Sequence, residues 1–191
     1  MQGTPKRYRF AGAALLVITS LICLALVLFW GFRTFIIDVE PDERGVVISP
    51  YQPSGLRKEI LGPGRHMVFF GERVQIYDMS PHTYTMSGPD SIRAKTLDGK
   101  TVLVDVSIRY TVDPNKVIEL HITWQNRYED SLVRPQARAI TREVISAYKM
   151  DEIHSQLAQI EQSISDKLER ELDKNYLTLL QLTVITVQQS Q

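Results

Sequence analysis

The chain has 191 residues, with 22 basic and 22 acidic side chains and a formal net charge of zero. That balance argues against a nucleic-acid partner, which selects a basic face; 43% apolar and 23% charged residues argue against a disordered chain. The only cysteine, Cys23, excludes an intramolecular disulfide.

Residues 1–10 form a short basic tail carrying Lys6, Arg7 and Arg9. Ala11 to Phe32, "AGAALLVITSLICLALVLFWGF", then runs without a charge. As a helix it would reach roughly 33 Å, enough for the hydrocarbon core of a bilayer. Its Leu, Ile, Val and Phe residues would gain about 4–7 kcal/mol on insertion. Leu15, Leu16, Leu21, Leu24 and Leu28 supply its apolar bulk, and Trp30 stands where an interfacial aromatic belongs. A cleaved signal peptide is the rival reading, but its apolar stretch would be shorter and end in small residues, not Phe29, Trp30 and Phe32. A buried core helix would show a polar face, and this run has none. The excess of Lys and Arg before the span predicts a cytoplasmic N-terminus, with the rest of the chain on the opposite side.

From Glu43 the pattern becomes short strands and turns. "ERGVVIS" reads as a strand, "YQPSG" as a turn, and "LGPGRH" puts Pro63 and Gly64 where a type II turn wants them. "MVFFGERVQIYDM" predicts two more strands around Gly71. Asp98-Gly99 predicts a tight type I′ hairpin with both residues at positive φ. The strand after it alternates: Val102, Val104, Val106, Ile108, Tyr110 and Val112 on one face, Leu103, Asp105, Ser107, Arg109 and Thr111 on the other. This is the pattern of half-buried antiparallel sheet. Asp113-Pro114 is expected to end the strand and cap a helix.

Beyond Pro114 the period lengthens to about 3.6. Val133, Ala137, Ile140, Val144 and Ala147 form one stripe. Pro135, within it, should kink the helix or mark its true start. Asp151 is expected to cap a second helix with the stripe Ile153, Leu157, Ile160, Ile164, Leu168 and Leu172. That stripe either packs on the domain's own sheet or presents a candidate oligomer face to a neighbouring subunit. "LTLLQLTVITV" returns to alternation as a final strand.

Catalytic patterns are not found. His66, His82, His121 and His154 show no metal-ligand spacing. Asp98 and Asp105 are explained by a turn and a solvated strand face, and Cys23 has no local base. No metal, cofactor or catalytic residue is expected. Arg127, Arg134, Arg138 and Arg142 form either a basic strip toward a partner or a solvated face.

"ERGVV", "LGPGRH", "AKTLDGKTVLVDVSIRYTVDP" and "YEDSLVRPQARAITREVISAYKMDEI", in this order behind an apolar N-terminal run, resemble the SPFH or band 7 family of stomatins, prohibitins, flotillins and bacterial membrane-protease regulators. The "LVRPQARAITREVISAY" run looks most like prohibitin-type members. The resemblance implies an α+β fold: a transmembrane helix over 11–32, then an SPFH domain over 39–188. Its first subdomain, 39–112, would be mainly β, and its second, 113–188, helices plus the final strand. It implies a scaffold in a bacterial plasma membrane, with the lipid bilayer, other SPFH subunits and a membrane AAA protease as partners. A long coiled coil usually follows in the family, and this sequence stops where it would begin. Two other classes remain beside the scaffold. One is a membrane-tethered module binding lipid or a small ligand. The other is a membrane-tethered hydrolase, which the missing nucleophile–base set argues against.

Overall fold

The computed structural model describes residues 16–28 and 35–189. Residues 16–28 form helix α1, whose side chains are exposed throughout. Among the described residues no helix is long and apolar enough to cross a membrane. The ends of the span expected over 11–32, with Leu15 and Trp30, lie outside the described residues.

Three sheets follow. Strand β1 (Ile36–Val39) pairs antiparallel with β4 (Gly64–Met67). Strand β2 (Glu43–Ile48) lies between β3 (Leu56–Leu61) and β5 (Arg73–Asp78). The third sheet is built on β8 (Thr101–Val112). Strands β6 (His82–Met86) and β7 (Ile92–Lys95) share one edge of β8, and β9 (Leu177–Gln189) takes the whole of the other. The β-rich stretch expected over 39–112 therefore divides near Met79. Its later strands share a sheet with the last strand of the chain, through β8, and not with the first sheets.

The alternation in β8 has the consequence expected. Val102, Val104, Val106, Ile108, Tyr110 and Val112 are fully buried. The opposite face is drier than expected: only Arg109 is exposed, while Leu103, Asp105, Ser107 and Thr111 are half-buried. Asp105 accepts hydrogen bonds from the hydroxyls of Ser91 and Thr186, so it ties the two edges of the sheet together instead of facing water.

The helices cover the apolar face. They are α2 (Val117–Thr123), α3 (Arg134–Ile145), α4 (Met150–Ile153) and α5 (Leu157–Asp173). α5 packs on β9, α3 packs on β7, and the two helices touch side by side. A single apolar cluster joins all of them to Val46 of β2 and Tyr77 of β5.

Several local expectations are corrected. The Asp98-Gly99 turn is not type I′. Only Gly99 has positive φ, +78°. The Gly99 N–H donates to the Thr96 carbonyl, and the Thr96 N–H to the Lys100 carbonyl. This is the longer hairpin loop, in which an ordinary turn is followed by one left-handed glycine. Gly64 has positive φ, but as the first residue of β4 opposite Val39, not inside a type II turn. Asp113 does not cap a helix: its carboxylate accepts the Asn115 N–H at 2.8 Å, and α2 begins only at Val117. Asp151 lies within the first turn of α4, where Glu152 caps the Lys149 N–H. The stripe from Ile153 to Leu172 spans two helices separated by a turn at residues 154–156. Phe69 and Phe70 lie in a loop, not a strand. Pro135 marks a true start: a π-helical turn, Glu129–Val133, runs directly into α3 there. The change from π-helical to α-helical bonding falls where Pro135 has no N–H to contribute.

Candidate functional site

The stripe Ile153, Leu157, Ile160, Ile164, Leu168 and Leu172 is taken up by the chain's own sheet. Five of the six are fully buried, and Leu157 is half-buried against the same cluster. As a candidate oligomer face it is corrected: an apolar row that fills a core cannot also meet a neighbour.

The titratable groups are dispersed. His66 contacts the Gly62 carbonyl, His82 stacks on Tyr110, His121 bonds the Tyr77 hydroxyl at 2.7 Å, and His154 is exposed. Burial lowers the His121 pKa and pushes the Tyr77 phenol up to about 12. Among the described residues no cluster of His, Cys, Asp or Glu could hold a metal ion. Asp98 and Asp105 sit in different hydrogen-bond sets, so they form no acid–base pair.

An exposed aromatic rim stands out instead, where the chain enters the domain. The β4–β5 loop carries Phe69 (65% exposed) and Phe70 (79% exposed), and Met67 and Tyr51 stand open beside them. The Val68 N–H donates to the Phe35 carbonyl at 2.8 Å, and the rings of Phe35 and Phe70 lie 6.4 Å apart. The rim is therefore at residue 35, directly after the apolar N-terminal run.

The loop is held rigidly from below. The Glu72 carboxylate is nearly fully buried; it accepts both prongs of the Arg57 guanidinium, at 2.9 and 2.5 Å, and the Phe69 N–H at 2.7 Å. Burial alone would raise the Glu72 pKa. The bonds from Phe69, Ser49 and Arg57, with the Arg57 charge, hold it below the usual carboxylate range. Arg57 also lies 5.0 Å from the centre of the Phe69 ring. The Tyr51 hydroxyl donates to the Phe70 carbonyl, and Gly71 turns the chain at φ +86°. These residues line an open concavity of about 460 Å³. A polar base that presents two largely exposed phenyl rings is suited to an apolar or interfacial surface, since each ring gains roughly 2 kcal/mol on burial.

The other predicted residues are placed as follows. Leu16, Leu21, Leu24 and Leu28 are exposed on α1, as is Cys23. Arg134 and Arg138 converge on the Asp90 carboxylate, and the Arg142 Nε–H donates to the Arg93 carbonyl at 3.0 Å. Burial would raise the Asp90 pKa, but the two arginines lower it. Arg127 lies in a separate turn. The aromatic rim was missed from sequence because "MVFF" reads as a buried strand. The nearby Gly71-Glu72 was the signal that a loop begins there.

The sequence model of the SPFH domain / Band 7 family matches residues 37–191. No curated protein matches the chain.

Proposed function

The chain belongs to the SPFH domain / Band 7 family, and from that premise we propose that it is a membrane-anchored scaffold without catalytic activity, assembling with like subunits to organise membrane zones. The observation that carries the membrane reading is the exposed rim of Phe69, Phe70, Tyr51 and Met67 beside Phe35, a residue that follows the apolar run closely in the sequence. The apolar helix enters the bilayer, and the rim rests on its surface. The basic tail keeps Met1 cytoplasmic and places the domain across a bacterial plasma membrane. Within the family, "LVRPQARAITREVISAY" supports a prohibitin-like affinity, and regulation of a membrane AAA protease is the activity that reading carries with it.

Native-gel sizing of gently solubilised membranes tests the scaffold. The expected result is an assembly many times the 21.9 kDa chain. A strictly monomeric species in native membranes, found also by in-membrane crosslinking, overturns it. Protease added to sealed spheroplasts tests orientation: digestion of the region after Val39 from outside is expected, and protection there with digestion from inside reverses the assignment.

A further inference from the structure

The core stripe cannot join subunits, so other surfaces must do so if the scaffold reading above, on which this inference rests, holds. The two outer edges of the third sheet and its helical layer carry opposite charge.

At one edge, α3 lies over β7. Arg134, Arg138 and Arg142 recur every four residues along α3 and so share one face. All three reach toward the β7 side, two to Asp90 and one to the Arg93 carbonyl. Asp90 is thus shared by two guanidiniums and neutralises one. Beside them Arg93, Lys95 and Arg142 line a concavity of about 430 Å³ together with Ala94, Thr101 and Ser146, and no acidic residue lines it.

At the other edge, α5 lies over β9. The Glu161 carboxylate faces β9, where it accepts the Val184 N–H at 2.8 Å. Glu169 and Asp173 lie on the same four-residue row, and Asp166 stands exposed next to it. The basic residues of α5 turn the other way: Lys167 pairs with Glu143 of α3, and Arg170 lines the groove between the two helices. The β9 edge is also irregular. Its pairing with β8 shifts twice, and Leu180 and Ile185, which are skipped in the register, stand exposed there. Such bulges block continuation of a strand ladder, so contact at this edge must be made by side chains.

We infer that copies of this chain associate side by side, the basic α3–β7 edge of one (Arg93, Lys95, Arg142) meeting the acidic α5–β9 edge of the next (Asp166, Glu169, Asp173). Arg93 and Lys95 stand about 7 Å apart on one face of β7, close to the roughly 6 Å step from Glu169 to Asp173 on α5, so the two rows are commensurate. The two patches are different surfaces of one chain. The contact is therefore heterologous and propagates, closing a ring where the rotation allows. Each exposed pair contributes little by itself, about 0–1 kcal/mol. Confinement to a membrane supplies the effective concentration that weak contacts need. The contact is accordingly salt-sensitive.

The test uses the full chain in nanodiscs and native membranes, with thermal melting as a control for folding. Reversing one edge, with Arg93→Glu and Lys95→Glu or with Glu169→Lys and Asp173→Lys, is expected to weaken association roughly tenfold or more through like-charge contact. Combining all four substitutions in one chain is expected to restore it, because the edges are again complementary. In a Cys23→Ser background, Lys95→Cys is expected to crosslink to Asp173→Cys on a second copy. If the wild type assembles while single-edge reversal changes nothing and the crosslink does not form, the interface is wrong and the scaffold reading stands. If the wild type does not assemble in membranes, both fall.

Discussion

Gly99 shows how a single backbone angle carries a turn. Its φ is +78°, and a Cβ added there would meet no atom within 4 Å. The whole cost of a substitution is therefore left-handed strain. Gly99→Val should lose about 1–2 kcal/mol, read as a lower denaturation midpoint at unchanged slope, and Gly99→Asn should lose less, since Asn tolerates this region. The neighbouring Asp98 works through its carboxylate. The Thr96 hydroxyl donates to it at 2.6 Å and the Met150 N–H at 3.2 Å, so the hairpin tip caps α4. The Thr96 bond leads in lowering its pKa to about 2. A carboxylate depressed in the folded state stabilises above its unfolded value and loses that contribution as pH falls through the folded one. For Asp98 the loss should run from about pH 3.8 down to about 2. Glu72 follows the same sign, its contribution fading as pH falls below 4.5. Acid titration of thermal stability checks both: Asp98→Asn should flatten the curve below pH 4. Glu72→Ala strips the carboxylate from a buried ion pair and should cost roughly 3 kcal/mol at neutral pH.

At the scale of elements, α5 and β9 illustrate how one stripe can be spent only once. Leu168 is fully buried between α5 and the sheet. Leu168→Ala should cost about 2–5 kcal/mol, by lost transfer energy and the cavity left behind. For a chain of this size that lowers the midpoint of thermal unfolding by about 4–20 °C, at 2–4 °C per kcal/mol. Any loss of assembly should track the unfolded fraction. A variant that melted normally yet failed to assemble would show that the stripe is a contact surface after all. β9 needs help that a regular strand would not. Where its register slips between Thr186 and Val184, the Val184 N–H is left to the Glu161 carboxylate. That bond fastens the helix to the strand at the irregular point, as the accounting of buried backbone donors requires.

At the scale of the whole molecule, two exposed features bear on how the domain sits at a membrane. The aromatic rim lies at the start of β5, and the hairpin tip with exposed Leu97 lies at the start of β8. Just past the end of β5 the Thr111 hydroxyl of β8 donates to the Met79 carbonyl, and β8 runs roughly 34 Å from that junction back to Thr101. A membrane-resting rim therefore predicts a depth difference. In the Cys23→Ser background, a fluorophore at Phe70→Cys should be quenched by lipid-borne spin labels in nanodiscs, whereas one at Leu97→Cys should not. Equal protection of both sites would remove the rim from the bilayer surface.

Periodicity along the chain was enough to specify the two-faced strand Thr101–Val112, the last strand and the two main apolar stripes, because alternation and 3.6-residue spacing are local properties that survive in any packing. The ordered motifs from "ERGVV" to "YKMDEI" were likewise enough to indicate the family. Which strands pair was not legible: β8 finds β9 across more than sixty intervening residues, and nothing local encodes that choice. Cap positions failed at Asp113 and Asp151 for a related reason, since the groups that satisfy a helix end come from wherever the fold brings them, as Asp98 does for Met150. The functional surfaces were decided at the tertiary level too. Phe69 and Phe70 of "MVFF" are exposed because Glu72 and Arg57 hold a loop where hydrophobicity predicts a strand. The arginines of α3 and the carboxylates of α5 become opposite edges only once both helices lie side by side on one sheet.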